Sequence, residues 1–195
     1  MKIYDISQEI LSCEVYEGDP QPTYTRINSI KDGDLYNLSA ISMCAHNGTH
    51  IDAPLHFIDD GESVDMLPIS HFVGECYVAE CNKDIDENEA LDIYSRATAA
   101  GANERILIKS KNHVTDEGAL AFAKCKLKLF GCETQSVGPL NAPMAAHIAL
   151  LSRSTVLLEG VVLESIPEGK YLLSAAPLNI SGFEGSPCRA ILIEL

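Results

Sequence analysis

Short apolar runs alternate with longer amphipathic segments along this chain. Runs that are rich in β-branched residues, or in which apolar and polar residues alternate, predict β-strands. Eight such runs occur, at residues 3–11, 37–44, 74–81, 105–109, 127–132, 155–163, 170–174 and 189–195.

Three further segments predict helices, at residues 86–100, 115–124 and 141–151. Asp86 and Glu89 form a capping box at the start of the first helix, and Gly101 is placed to end it. Asn141 is predicted to cap the third helix, with Pro143 tolerated in its first turn. Because strands outnumber helices, the pattern predicts an α/β fold in which a mixed, barrel-like sheet is flanked by a few helices.

Length and charge narrow the possible classes of function. The 195 residues contain no linker or repeat, so residues 1–195 are interpreted as a single domain. Fourteen basic residues against twenty-eight acidic ones give a net charge of −14. This charge repels phosphate backbones and anionic membranes, so neither nucleic acid nor a membrane is an expected partner. The start of the chain lacks the apolar stretch of a signal peptide, and a cytoplasmic location is expected.

The seven cysteines are scattered, odd in number and without a zinc-ribbon pair. We therefore expect reduced thiols that fill small spaces in the core. A cysteine nucleophile, Cys44 near His46, is a weaker alternative because Cys44 lies in an apolar predicted strand.

Three of the six histidines and one aspartate fall within eleven consecutive residues. Imidazole nitrogen and carboxylate oxygen are ligands that zinc, manganese and iron accept in proteins. His50 and Asp52 are two residues apart, so both leave the same face of an extended backbone, and Gly48 permits a turn that brings His46 to them. Asp52 has two oxygens and is able to bridge two ions. His56 is predicted to be a fourth ligand or a proton shuttle; the alternative is a set of surface-loop histidines with ordinary titration.

Glu159 is the next candidate, because it interrupts the apolar run 155–163. A buried unpaired charge is very unfavourable, so Glu159 needs a cation or strong donors unless it points outward from a strand edge. His147 precedes it on the third predicted helix, where a histidine taken alone is more often a core or surface residue than a ligand. His71 and His113 have no partner at ligand spacing and are predicted to be structural or solvated.

These residues together resemble the cyclase-family metal hydrolases, which include bacterial kynurenine formamidases and isatin hydrolases. The signature of that family is H-x-G-T-H-x-D-x-P-x-H, and residues 46–56 match all seven specified positions. Further matches lie at Asp5-Ile-Ser7, Gly18-Asp19-Pro20, His147, Glu159-Gly160 and Gly185-Ser-Pro187-Cys-Arg189.

The resemblance implies a swivelling β/β/α fold in a homo-oligomer, a dimer or tetramer. It also implies hydrolysis of an amide bond in a small molecule, an arylformamide or a cyclic amide or imide, by water activated at a metal with His56 as the acid-base residue. The ligands that it implies for one or two divalent ions, Zn²⁺ or Mn²⁺, are His46, His50, Asp52, His147 and Glu159.

Two stretches depart from the family pattern. Ser110-Lys111-Asn112 stands where a Thr-Gly-Trp-like stretch is common, and residues 131–138 replace a Gly-x-Asp-x-x-Ser-x-Asp stretch. Two other functions stay open on the residues themselves. One is a metal-dependent lyase or dehydratase in which His56 removes a carbon-bound proton, and the other is a non-catalytic protein that binds a metal or senses a small molecule.

Overall fold

A computed structural model describes residues 1–139 and 141–194. Its strands are β1 (Ile3–Asp5), β2 (Thr23–Asn28), β3 (Leu38–Ser42), β4 (His50–Asp52), β5 (Val73–Glu80), β6 (Arg105–Lys109), β7 (Leu129–Cys132), β8 (Val156–Glu159), β9 (Gly169–Ser174), β10 (Gly185–Pro187) and β11 (Ile191–Glu194). Its α-helices are α1 (Glu87–Ala99), α2 (Asp116–Lys124) and α3 (Met144–Leu151). Leu195, at the end of the last predicted strand, lies outside the described residues.

Nine of these strands form one sheet in the order β1-β11-β9-β5-β6-β7-β8-β4-β10. The four central strands β5, β6, β7 and β8 are parallel to one another, and the remaining pairs are antiparallel. Parallel neighbours require crossover connections, and α1, α2 and α3 supply them between successive central strands. The sheet curls into a half-barrel. The predicted mixed α/β fold with a barrel-like sheet and a few helices is confirmed.

Each face of the sheet is covered by its own apolar cluster. On one face the helices contribute Ile93, Phe122 and Leu150, which pack with Ile106 and Phe130 of the sheet. The cluster on the other face includes residues of the sheet and of the loops around it, namely Ile51, Val64, Leu67, Phe72, Val78, Leu158, Leu163 and Leu173. Burial on both faces explains why the central strands are nearly continuous apolar runs. None of the helices in residues 1–139 and 141–194 has both the length and the apolar character needed to cross a bilayer.

Several predicted boundaries are wrong, for local reasons. The first predicted strand, 3–11, ends at Asp5, because the Asp5 side chain accepts a hydrogen bond from Ser7 N and turns the chain. The run 155–163 ends as a strand at Glu159, because Gly160 adopts a left-handed φ of 67°. Asn141 does not cap the third helix.

That helix begins at Met144 with Pro143 at the N-cap position and no side-chain capping bond. The preceding residues are held in a turn in which Ala142 N donates to Pro139 O. The first helix, in contrast, is capped as predicted, since the Asp86 side chain accepts from Glu89 N.

A two-stranded hairpin, β2 and β3, stands apart from the large sheet. Almost all of its residues are exposed, including apolar ones on the strands and in the connection between them. Strand β2 was not predicted, and neither were β4 and β10, which have three residues each. Three residues are too few to show a recognisable alternation of apolar and polar positions.

Candidate metal site

Strand β4 lies between β8 and β10, and this pairing assembles most of the site. His50 is the register partner of Glu159, which brings a histidine and a glutamate that are distant in sequence side by side. Asp52 points to the same face as His50, because side chains alternate along a strand. His147 reaches this face from α3, which crosses over to β8.

His46 joins the cluster through the turn that precedes β4. Gly48 takes a left-handed φ of 64° in this turn, and His46 Nδ1 lies 2.8 Å from Asp52 Oδ1. A Cβ on Gly48 would lie 3.0 Å from the Cys13 Cβ, so the site needs glycine for both conformation and space.

The donor atoms fall into two groups that share Asp52. The first group is His46, His50 and Asp52, and the second is Asp52, His147 and Glu159; within each group the donor atoms lie within 4.8 Å of one another. His50 Nε2 is 3.3 Å from Asp52 Oδ1 and 3.5 Å from Glu159 Oε2. His147 Nε2 is 3.3 Å from Glu159 Oε1 and 3.8 Å from Asp52 Oδ2. This arrangement is able to hold one cation, or two with the aspartate between them.

Backbone carbonyls orient two of the imidazoles. His50 Nδ1 lies 2.9 Å from Gly48 O, and His147 Nδ1 lies 2.8 Å from Pro143 O. A carbonyl can only accept, so each Nδ1 carries a proton, and each Nε2 offers its lone pair to a cation once it has given up any proton of its own. Asp52 Oδ2 and His46 Nε2 are buried and make no hydrogen bond among the described residues. Buried acceptors of this kind fit a divalent metal.

The charges of the cluster also favour a cation. Burial lowers the pKa of His50, but hydrogen bonds to Asp52 and Glu159 outweigh it and raise the net pKa well above the usual value. Burial raises the pKa of Asp52, but His46 and His50 outweigh it and hold the net pKa well below the usual range. The buried carboxylates therefore hold positive charge beside them, here as protons on imidazoles.

His56 lies at the edge of this cluster, outside both donor groups. It ends the 3₁₀ turn Pro54–His56, and its ring stacks on His46 with the centroids 4.1 Å apart. Burial lowers the pKa of His56, Asp52 opposes this effect, and His46 and His147 add to it. A neutral imidazole beside a cation site is able to accept a proton.

The cluster opens into a cavity of about 260 Å³. Beyond the histidines and Glu159, the cavity is lined by Tyr16, Asp19, Cys44, Phe57, Gln135, Ser136 and Pro143. Among these, only Cys44 was considered from the sequence as a residue that contacts substrate, as the alternative nucleophile. Of these, Asp19 lies in the matched Gly18-Asp19-Pro20 stretch and Ser136 falls on the serine of the Gly-x-Asp-x-x-Ser-x-Asp stretch, whereas Gln135 falls at an unspecified position of it. A larger cleft, about 630 Å³, contains none of the six predicted site residues and lies at the carboxyl ends of β5 and β6.

Cys44 is poorly suited to nucleophilic attack. Burial raises the pKa of its thiol, and the nearby Asp19 carboxylate, 3.6 Å from Sγ, raises it further. The thiolate form required of a nucleophile is therefore disfavoured. His71 and His113 both lie outside the two donor groups.

Comparisons with known proteins agree with the sequence resemblance. Residues 4–139 match the family model described as putative cyclase. Over its whole length the chain is 31% identical to a kynurenine formamidase of Erythrobacter litoralis, of which it covers 94%. With 98% of its length it is 33% identical to a kynurenine formamidase of Salinibacter ruber, of which it covers 97%.

Solved structures have the same fold. A structure described as a potential metal-dependent hydrolase with cyclase activity superposes with a TM-score of 0.82 at 27% identity, over 98% of this chain and 96% of that one. An isatin hydrolase A from Labrenzia aggregata superposes with a TM-score of 0.83 at 22% identity, over 98% of this chain and 93% of that one, which shows the fold alone. The chain belongs to the cyclase family.

Proposed function

We propose that this protein is a divalent-metal-dependent hydrolase that opens a non-peptide amide bond in a small molecule. The observation that carries the proposal is the convergence of three imidazoles and the carboxylates of Asp52 and Glu159 beside a small cavity. The full-length similarity to kynurenine formamidases supports amide hydrolysis as the reaction.

The proposed ligands of the metal are His46, His50, Asp52, His147 and Glu159. Because Asp52 belongs to both donor groups, it is the proposed bridge when two ions bind. Zn²⁺ and Mn²⁺ are the proposed ions, since both accept mixed imidazole and carboxylate ligands. When bound, a divalent ion supplies Lewis acidity that activates water and polarises an amide carbonyl.

His56 is the proposed acid-base residue. Its lowered pKa keeps the imidazole neutral at pH 7, ready to take up a proton from the attacking water. It then returns the proton to the departing nitrogen, which leaves as a neutral amine. Phe57 stacks on His147, with ring centroids 4.5 Å apart, and forms an apolar wall of the cavity that limits access of bulk water.

We further propose that the protein is a homo-oligomer, and that the hairpin of β2 and β3 forms part of the interface. An isolated two-stranded hairpin is marginally stable in water. This one exposes apolar side chains that a soluble monomer rarely groups together, among them Tyr24, Ile27, Leu35, Tyr36 and Ile41. The free cysteines suit a reducing compartment, and the cytoplasm is the proposed location.

Hydrolysis in heavy-oxygen water tests the proposed reaction. Protein loaded with Zn²⁺ or Mn²⁺ would be incubated with formanilide and with isatin, and the products analysed by mass spectrometry. We expect solvent oxygen in the new carboxylate and no turnover after the metal is chelated. Turnover that survives chelation, or a product formed without solvent oxygen, would contradict the proposal.

A further inference from the structure

The loop that follows β7 carries three polar atoms that have no partner. Both side-chain polar atoms of Gln135, Nε2 and Oε1, are buried and make no hydrogen bond within the described part of the chain. Ser136 Oγ is likewise buried and unpaired. Both residues line the cavity, together with four of the five proposed metal ligands.

The backbone around these two residues is firmly held. Thr134 O accepts from Gly160 N at 2.9 Å, and Thr134 Oγ1 donates to Ser136 O at 2.7 Å. Val137 N donates to Glu159 Oε1 at 2.6 Å. The loop is therefore anchored on both sides of Gln135 to the end of β8, which places a polar side chain beside a proposed ligand.

The Gln135 carboxamide lies against Gly160. A Cβ on that glycine would lie 2.3 Å from Gln135 Nε2 and 2.5 Å from the backbone Gly48 O. Buried polar groups without partners destabilise a folded protein, and most native ones are paired. Three in one loop of a cavity indicate that a ligand pairs with them.

We propose that Gln135 and Ser136 recognise the amide group of the substrate. A carboxamide offers donors and an acceptor on one edge. Oε1 accepts the N–H of the scissile amide, while Nε2 and Ser136 Oγ are donors for any further acceptor that a substrate carries beside that amide. This inference rests on the proposed function and narrows its substrate class to amides that keep an N–H, since a tertiary amide leaves Oε1 unpaired.

Substrate pairs that differ only at the amide nitrogen test the proposal. Formanilide and N-methylformanilide would be compared by kcat/KM in the metal-loaded wild type and in Gln135→Leu. The variant is expected to lose about tenfold on formanilide and much less on the N-methyl compound, since a site built for a hydrogen bond rejects an analogue that lacks it. For each protein, kcat/KM on formanilide is divided by kcat/KM on N-methylformanilide. Comparing this ratio between the wild type and the variant cancels the intrinsic reactivities of the substrates.

The melting temperature without substrate distinguishes recognition from a structural role, because the two roles predict changes of opposite sign. Leucine has nearly the volume of glutamine and removes the unpaired groups, so the melting temperature of Gln135→Leu should equal or exceed that of the wild type. Gln8→Leu is the matched control. Its carboxamide also contacts Gly160, but both of its polar atoms have partners. Nε2 donates to Gly160 O at 2.9 Å, and Oε1 accepts from Glu14 N at 2.7 Å. This control should melt at a lower temperature.

The outcomes separate the two proposals. If the wild type hydrolyses neither anilide nor any other amide, the proposed function fails and the role in recognition fails with it. If the wild type hydrolyses formanilide and Gln135→Leu keeps the same preference for it over the N-methyl compound, only the role of Gln135 is overturned. A drop in melting temperature as large as that of Gln8→Leu would also overturn it, since it would reveal a structural partner.

Discussion

Gly185 of β10 shows how closely the site is packed at the level of single residues. A Cβ at this position would lie 2.5 Å from His46 Cε1 and 3.0 Å from Ile51 O. The glycine thus lets the outer strand approach the imidazole, which keeps His46 against Asp52. No conformational demand is involved, because the φ of Gly185 is not positive.

Gly185→Ala should therefore weaken metal binding without removing a ligand. The methyl group displaces His46, and disturbing a ligand through its neighbour typically costs about 10- to 100-fold in affinity. Titration with Zn²⁺ against a competing chelator measures the effect, and circular dichroism checks the fold. Unchanged affinity in a folded variant would mean that His46 does not bind the ion.

His56→Ala separates an acid-base role from a ligand role. Because His56 lies outside both donor groups, the variant should keep its metal content while kcat falls about 100-fold or more. Elemental analysis and steady-state kinetics on the same preparation provide both numbers. Loss of the metal with unchanged activity per bound ion would contradict the assignment.

The site was only partly predictable from single residues. Close spacing in the sequence predicts the cluster of His46, His50, Asp52 and His56. Glu159 is predicted because it is a charged residue within an apolar run. That the side-chain polar atoms of Gln135 have no partner is seen only in the folded structure, where the loop after β7 packs against the end of β8. Contacts of this long range leave no local pattern in sequence.

At the level of elements, sequence patterns located the central strands and all three helices, because apolar runs and caps are local signals. They missed β4, the strand that carries two proposed ligands, because its three residues are strand-like only through pairing with β8 and β10. Asn141 failed as a cap for a similar reason, since a competing turn holds the residues before α3.

Glu168, just before β9, links strand β5 to helix α1 through hydrogen bonds. Its carboxylate accepts from Tyr77 and from the backbone N of Glu80, both on β5, and from Arg96 on α1. Burial raises the pKa of Glu168, but Tyr77, Arg96 and the Glu80 backbone outweigh it and hold the net pKa below its usual value. The carboxylate form therefore stabilises the contact between helix and sheet.

Glu168→Gln should lower the free energy of unfolding at pH 7, and the difference from the wild type should shrink in acid. A carboxyl group with a depressed pKa contributes stability above its unfolded pKa, near 4.5, and loses it as pH falls through the lower folded value. Urea unfolding at pH 7, 5 and 3.5 measures the trend. A difference independent of pH would show that packing, rather than charge, is responsible.

At the level of the whole molecule, the exposed apolar hairpin of β2 and β3 is the feature least expected of a monomeric protein. Tyr24 and Ile41 are register partners on its two strands, and their exposures are 58% and 56%. Single exposed apolar residues are ordinary, but apolar pairs on a projecting hairpin are typical of an interface. Sequence patterns alone did not reveal it, because four of the six residues of β2 are polar.

Ile41→Glu should dissociate the proposed oligomer, because a charge at the interface would be buried without a partner. Leu120→Glu on α2 is the matched control, since Leu120 is 53% exposed and lies on a helix away from the hairpin. Sedimentation velocity would report the masses. A wild type that sediments as a monomer, or equal dissociation by both variants, would contradict the interface.

Metal stoichiometry tests the central claim most directly. Protein purified without a histidine tag would be dialysed against Zn²⁺ and analysed by native mass spectrometry, alongside Asp52→Asn and the control His113→Gln, which alters a histidine outside the donor groups. We predict one or two ions per chain in the wild type and in the control, and loss of bound metal in Asp52→Asn. A wild type without bound metal, or an Asp52→Asn variant that retains all of it, would contradict the account.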